Sequence, residues 1–259
     1  IVMSLSSSLA ATTGAEFGRR NYDAEIDFES IQRSDRAIAM VQSVDQVERA
    51  NVITMYPVTV LKEGQRTKEA GAGAYIHGFP ADVLVYKPLI VKGRWIQPGD
   101  DRVIVMNSDS AKRNNIRLGE TVTLNMGELG KSDWQVIGLY TQVYGGGFSA
   151  DNLYAPQDAL SYATKKYNEG AQMFVRFRPG VDPQAAVIKV QDQLAEDDIK
   201  VDYGASTQNV MTRLKSEFEA HGIRVGNMLT QAEERKLADS GNAAPLGMLL
   251  ALAIIVAIV

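Results

Sequence analysis

Residues 22–28 read YDAEIDF, and the alternation of apolar and acidic side chains predicts a strand with one buried face. Ser34 is a suitable N-cap for a helix that carries Ile38 and Val41 on its apolar side. Residues 52–61 are rich in β-branched side chains, which is typical of a second strand. The first quarter of the chain therefore predicts a strand–helix–strand unit.

The same order recurs in the last third of the chain. Residues 173–178 (MFVRFR) predict a strand, and Asp182 followed by Pro183 predicts the start of a helix that runs to about residue 196. Residues 199–203 then predict another strand. Two such units can form one split βαβ sheet. The sequence therefore predicts an α+β protein with two lobes, in which both chain ends build the mixed α/β lobe.

The middle of the chain has short predicted strands and frequent turns, which is typical of a small barrel or sandwich. We expect this β-rich lobe to be inserted into the first. The expected boundaries are residues 21–78 and 157–222 for the mixed lobe, and residues 79–156 for the inserted lobe. Residues 223–244 are polar and helix-prone, so we expect them to form a stalk or a linker.

Both ends of the chain are apolar. Residues 246–259 (LGMLLALAIIVAIV) carry no charge, and Pro245 suits the first turn of a helix. A membrane helix needs about 20 apolar residues. We therefore expect residues 245–259 to be the truncated start of a transmembrane helix, and residues 1–20 the membrane-proximal end of an earlier one. The alternative for the C-terminal run is a buried core helix.

Composition excludes several kinds of function. The chain has 259 residues, a net charge of −4, and no cysteine. Without cysteine it cannot form disulfides, thiol nucleophiles or zinc–thiolate sites. No basic block stands out, so we predict no nucleic-acid partner.

No motif predicts catalysis. Residues 127–132 imitate a phosphate loop, but Asn125 stands where that motif requires glycine, so we expect a β-turn. The two histidines, His77 and His221, have no set of partners, whereas a metal site needs three or four ligands. We predict no catalytic residue, no cofactor and no metal. Three adjacent acidic pairs are expected in turns or on the surface: Asp100-Asp101, Asp197-Asp198 and Glu233-Glu234.

One segment combines glycines with aromatic side chains. Three glycines lie between Tyr144 and Phe148, and glycine gives the backbone unusual freedom. Aromatic side chains supply contact area in interfaces. We therefore predict a contact loop in which Tyr140, Tyr144 and Phe148 bind a partner. The alternative is a flexible hairpin tip without a binding role.

The chain carries an ordered set of motifs: Gly93-Arg94-Trp95, Asp100-Asp101, residues 103–106, Leu118-Gly119, residues 121–124, residues 134–139 (WQVIGL), residues 152–156 (NLYAP) and residues 178–182. This ordered set resembles the extracytoplasmic core domain of MacB/FtsX-like ABC transporter permeases, and the resemblance covers about residues 20–205.

The resemblance implies a domain of a bacterial membrane permease that faces the periplasm or the cell exterior. It also implies a cytoplasmic ATPase and an extracytoplasmic protein as partners, and it is compatible with a dimer of the permease. The implied role is non-catalytic: relay of ATP-driven motion in mechanotransmission, export or lipoprotein release. Two alternatives remain open, a membrane-tethered sensor or solute-binding domain and a hydrolase with an unrecognised site.

Overall fold

The computed structural model describes residues 11–62, 72–141, 151–181 and 207–240. The helices are α1 (residues 11–17), α2 (Ser34–Gln42), α3 (Ser108–Arg113), α4 (Gln157–Thr164), α5 (Thr207–Ala220) and α6 (residues 231–240). The strands are β1 (Ala24–Arg33), β2 (Val47–Lys62), β3 (Ala72–Phe79), β4 (Leu89–Gly93), β5 (Val103–Asn107), β6 (Thr121–Asn125), β7 (Lys131–Thr141), β8 (Asp151–Pro156), β9 (Glu169–Phe177) and β10 (Val225–Thr230).

The chain divides into two compact units. The α/β unit comprises Tyr22–Ile53 and Asn168–Ala232. The β-rich unit comprises Thr54–Tyr167 with the described residues of Ile1–Asn21 and Glu233–Val259. Each unit has its own apolar core.

The α/β unit contains a sheet with the strand order β10–β1–β9–β2. Both β1 and β2 pair antiparallel with β9, so β1 and β2 are parallel to each other with β9 between them. The connection from β1 to β2 includes α2, which makes this a split βαβ arrangement. The predicted α+β fold class is therefore confirmed.

Alternate residues of these strands face the helices and form the core. Ile26, Val52 and Met173 are buried together with Leu214 and Phe218 of α5. Leu214 and Phe218 lie one helical turn apart on the same face of α5, as their spacing predicts. The second predicted helix, which starts at Asp182-Pro183, and the strand predicted at residues 199–203 lie outside the described residues.

The predicted stalk over residues 223–244 is not one continuous helix. Val225–Thr230 forms β10 and pairs antiparallel with β1, from Ala24 opposite Thr230 to Asp27 opposite Asn227. Val225 and Met228 pack against the core of the α/β unit, and this packing stabilises the strand. The charged residues on either side of β10 made the whole segment read as polar and helix-prone in the sequence. Only residues 231–240 of this segment are described as helical.

The β-rich unit contains a closed ring of strands. Successive neighbours around it are β2, β3, β8, β5, β7 and β6, and β6 pairs again with β2. Closure removes the exposed edges of these six strands. The interior is filled by large apolar side chains that include Ile76, Ile104, Leu124 and Trp134.

The β-rich unit is longer than the expected inserted lobe. It begins at Thr54 rather than at residue 79, because the second half of β2 pairs with β3 and β6. It extends to Tyr167 because α4 packs against β3. Because of these contacts, residues 54–78 and 157–167 belong to the β-rich unit together with residues 79–156.

None of the helices among the described residues is both long and apolar enough to cross a membrane. The apolar residues at either end, 1–10 and 245–259, lie outside the described part of the chain.

Candidate functional site

Helix α1 belongs to the β-rich unit and buries an acidic side chain. Glu16 is 0% exposed. The Tyr86 hydroxyl donates to its Oε1 at 2.5 Å, and Arg19 Nη1 donates to its Oε2 at 3.1 Å. A buried carboxylate is costly unless hydrogen bonds and a counter-charge replace its hydration. The hydrogen bonds from Tyr86 and Arg19 therefore offset the desolvation cost of burying Glu16.

A second buried charge pair joins α6 to the end of α1. The Arg20 guanidinium donates to Glu234 Oε2, and the two side chains are only 10% and 13% exposed. The guanidinium carbon of Arg20 also lies 4.2 Å from the centre of the Phe17 ring, which is a cation–π contact. We call Glu16, Arg20, Tyr86 and Glu234 the terminal junction, because they link α6 to the end of α1 and α1 to Tyr86.

Backbone hydrogen bonds support the junction. Arg20 and Tyr86 form an antiparallel bridge. On either side of the bridge, Asn21 N donates to Val85 O at 2.7 Å, and Lys87 N donates to Arg19 O at 3.4 Å. The segment that leaves α1 is therefore held against residues 85–87 by a single β-bridge and the two flanking hydrogen bonds.

An aromatic cluster centred on Tyr154 adjoins the junction. The Tyr154 ring lies 5.3 Å from Trp95, 5.3 Å from Tyr140, 5.4 Å from Phe79 and 5.9 Å from Tyr86, measured between ring centres. Burial raises the pKa of Tyr86, Tyr140 and Tyr154 well above the ordinary tyrosine value. These phenols therefore stay neutral and can donate hydrogen bonds at any physiological pH.

The predicted contact residues fall in different places. Tyr140 is 1% exposed, and its hydroxyl donates to Asn152 O at 2.9 Å, so it packs in the interior of the β-rich unit. Tyr144 and Phe148 lie outside the described residues. The contact role of the three aromatic side chains stays a prediction, and Tyr140 would have to leave its packing to touch a partner.

The residues considered for phosphate or metal binding are dispersed. Gly127–Leu129 forms a single 3-10 turn that leads into β7, so no helix N-terminus is available there for phosphate. His77 and His221 belong to different units. The described residues contain no group of three or more side chains suited to hold a metal ion.

The sequence matches the family model of the MacB-like periplasmic core domain over residues 2–193. The chain belongs to this family. The resemblance inferred from the ordered motifs is therefore confirmed. Among curated proteins, none has a significantly similar sequence.

One solved structure with a TM-score above 0.5 is similar in fold to this MacB-like core domain. The periplasmic region of MacB from Actinobacillus actinomycetemcomitans is similar with a TM-score of 0.52 and 14% identity, over 85% of this chain and 92% of that one. The extracellular domain of the noncanonic ABC-type transporter YknZ from Gram-positive bacteria gives 0.49 and 14%, over 81% and 99%. A domain of a permease protein from Porphyromonas gingivalis gives 0.44 and 14%, over 72% and 88%.

The sequence did not predict the terminal junction of this MacB-like domain. The partners of the Glu16–Tyr86 and Arg20–Glu234 pairs are 70 and 214 residues apart in the chain, so local patterns cannot connect them. Glu234 was expected on the surface, and the structure corrects this, because its side chain is only 13% exposed. The one available signal was the Arg19-Arg20 pair, which follows the helix with the buried acid after a single glycine, Gly18.

Acid is expected to destabilise this MacB-like domain through His77. Burial lowers the pKa of His77 to about 4, so the folded state holds the neutral imidazole while the unfolded state binds a proton below about pH 6.5. The neutral His77 side chain therefore contributes fully to the free energy of unfolding above about pH 6.5, and this contribution falls as the pH drops. Between pH 7 and pH 5 we expect a loss of about 2 kcal/mol.

The measurement is urea unfolding at pH 7, 6 and 5. His77→Gln should remove this part of the pH dependence. The matched control is His221→Gln, because His221 is exposed in the turn that follows α5. An equal pH dependence in the wild type and in His77→Gln would contradict the assignment.

Proposed function

We propose that this chain is the extracytoplasmic domain of an ABC-type transporter permease, and that it relays motion driven by a cytoplasmic ATPase. Membership of the MacB-like family supports the first part. The apolar residues at both ends support a chain that enters the membrane on either side of the domain. The domain then faces the periplasm or the cell exterior.

The terminal junction is the observation that carries the relay. Helices α1 and α6 are the described helices nearest to the apolar ends, and both belong to the β-rich unit. The largely buried Arg20–Glu234 pair joins α6 to the segment that follows α1, and Glu16 joins α1 to Tyr86. A displacement of the membrane helices would therefore reach the β-rich unit through the hydrogen-bonded contacts of the terminal junction rather than through a flexible linker.

The proposed role is non-catalytic. The relayed motion would serve export, lipoprotein release or mechanotransmission to a docked extracytoplasmic protein. Binding of that protein through the Tyr144–Phe148 segment is part of the proposal, and so is the cytoplasmic ATPase. Support for a non-catalytic role comes from the family, whose members are named as periplasmic core domains.

The relay can be tested by inserting two glycines after Arg235 in the full-length permease. The insertion changes the helical phase of the part of α6 that follows Arg235 and weakens that part of the helix, because glycine is a poor helix former. Glu234 precedes the insertion, so its position in the chain is unchanged. We expect ATP hydrolysis to continue and the transport output to fall at least tenfold. Both are measured in the same membranes.

The control insertion places two glycines after Glu128, in the exposed turn between β6 and β7. It should leave transport within twofold of the wild type. If the insertion after Arg235 also leaves transport unchanged, α6 does not transmit motion and the relay proposal is wrong.

A further inference from the structure

Residues 84–92 lead from the terminal junction into β4, and this stretch exposes apolar side chains. Leu84 is 51% exposed, Leu89 is 39% exposed and Val91 is 48% exposed. Single exposed apolar side chains are normal on a protein surface, whereas several of them close together mark a contact site. Three such side chains within one short stretch therefore indicate a surface that binds something apolar.

The same stretch is basic. Lys87 and Lys92 are exposed, and residues 83–99 contain no acidic residue, although the whole chain has a net charge of −4. Arg94, which follows the stretch, forms an ion pair with Asp100. We call residues 84–92 the apolar–basic segment, because it combines exposed aliphatic side chains with two exposed lysines.

The terminal junction holds the apolar–basic segment beside the end of α1. Asn21 Nδ2 donates to Leu84 O at 2.7 Å, and Arg20 forms a β-bridge with Tyr86. Because α1 covers only residues 11–17, it rises about 10 Å along its axis. When the apolar residues that precede α1 enter the membrane, as the proposed function requires, this short helix keeps the segment close to the lipid surface.

We propose that the apolar–basic segment docks on the surface of the membrane that anchors this chain. Its aliphatic side chains would enter the interfacial layer, and Lys87 and Lys92 would bind anionic headgroups. Lysine together with apolar side chains is typical of proteins that lie on a membrane surface. A protein partner fits this composition less well, since lysine is depleted in protein–protein interfaces.

The tether explains how so small a contact can form. Three aliphatic side chains and two lysines give weak binding by themselves, but a chain anchored in the same membrane holds them at a high effective concentration near the lipid. The docking therefore rests on the membrane anchoring in the proposed function. It does not depend on the relay of motion.

The absence of cysteine from this chain allows a single fluorescent label to be attached. Leu84→Cys is introduced into the full-length permease, with any cysteine elsewhere in that protein replaced by serine, and is labelled with a small fluorophore. The protein is reconstituted into vesicles of phosphatidylcholine and phosphatidylglycerol in which some lipids carry a nitroxide on the headgroup. Docking brings the fluorophore within reach of this quencher.

Glu128→Cys is the matched control, because its exposed turn precedes β7 and the apolar–basic segment lies at the other end of that strand. Leu89 pairs with Thr141, the last residue of β7, and the 11 residues of this strand span about 35 Å. We expect the nitroxide lipids to quench the label at Leu84 at least threefold more strongly than the label at Glu128.

The contribution of charge is tested separately. Lys87→Glu with Lys92→Glu should reduce the quenching at Leu84 at least threefold, and omission of phosphatidylglycerol should act in the same direction. Lys165→Glu with Lys166→Glu changes two exposed lysines elsewhere in the β-rich unit and should leave the quenching nearly unchanged. Unchanged thermal unfolding of both double variants shows that the fold is kept.

Three results would overturn the proposal. Equal quenching at Leu84 and Glu128 would show that the segment does not lie on the membrane. Quenching that is insensitive to Lys87, Lys92 and phosphatidylglycerol would show that the lysines do not bind headgroups. A label at Leu84 that is shielded from a water-soluble quencher, yet is not quenched by the nitroxide lipids, would assign the segment to a protein contact.

Flotation of the vesicles separates these results from the proposed function. A protein that does not float with the vesicles is not anchored in the membrane, which contradicts the proposed function itself. A protein that floats while its label at Leu84 is no more quenched than the control contradicts the docking alone.

Discussion

Replacement of Gly93 by alanine is expected to destabilise the β-rich unit by about 3 kcal/mol or more. Gly93 has a φ of 73°, in the left-handed region, where a side chain costs roughly 1–2 kcal/mol. An added Cβ would also lie 2.2 Å from Ile137 O and 2.7 Å from Leu118 Cδ1. Because one of these atoms belongs to the backbone of β7, the clash can be relieved only by moving β4 away from β7.

The backbone of β7 opposite Gly93 leaves equally little space for a side chain. Gly93 pairs with Gly138, whose own Cβ would lie 2.2 Å from Arg94 O. Displacement of β4 would disturb the next residues, where Arg94 pairs with Asp100 and Trp95 packs on Tyr154. The Gly93-Arg94-Trp95 motif therefore combines a close crossing of two strands, a surface ion pair and an aromatic contact.

Gly99→Ala is the matched control for Gly93→Ala. Gly99 has a φ of 86°, but its Cβ would have no atom within 4 Å. This variant isolates the conformational cost, which we expect to be about 1 kcal/mol. Urea unfolding followed by tryptophan fluorescence measures both. Equal losses for the two glycines would show that the close approach of β4 and β7 does not limit stability.

The second large effect is expected for Glu234→Ala. It leaves the Arg20 guanidinium largely buried without its counter-charge, and breaking a buried pair in this way costs about 3 kcal/mol. The cation–π contact of Arg20 with Phe17 recovers only part of that loss. Thermal and urea unfolding of the domain measure the change in free energy.

Two further variants make the result interpretable. Glu219→Ala breaks the exposed Lys215–Glu219 pair, whose side chains are each 59% exposed, and should cost less than about 1 kcal/mol. Arg20→Met with Glu234→Met removes both charges together, and should return stability to within about 1 kcal/mol of the wild type. If Glu234→Ala costs no more than Glu219→Ala, the terminal junction does not fasten the helices.

Much of the local structure could be predicted from the sequence. The alternation at residues 22–28 indicates a strand, and β1 covers Ala24–Arg33. The start of α3 is equally local, because the side chain of Asn107 accepts hydrogen bonds from Asp109 N and Ser110 N. Such features depend on residues that are close in the chain, so their patterns are visible in the sequence.

Features that depend on distant residues could not be predicted. β10 was expected to belong to a stalk, because its six residues show little alternation and lie between charged segments. The buried positions of Glu16 and Glu234 conflict with the usual exposure of glutamate. Each becomes favourable only when its partner from another part of the chain replaces the lost hydration.

The sequence by itself determined the α+β character, the strand and helix periodicities, the turns, and the ordered motifs of the MacB-like family. Only the tertiary structure decided that β9 lies between β1 and β2, that six strands close into a ring, and that the largely buried Arg20–Glu234 pair links α6 to the end of α1. The physical reason is the range of the interactions. Backbone preferences act between near neighbours, whereas strand pairing and the desolvation of charges depend on which distant segments meet.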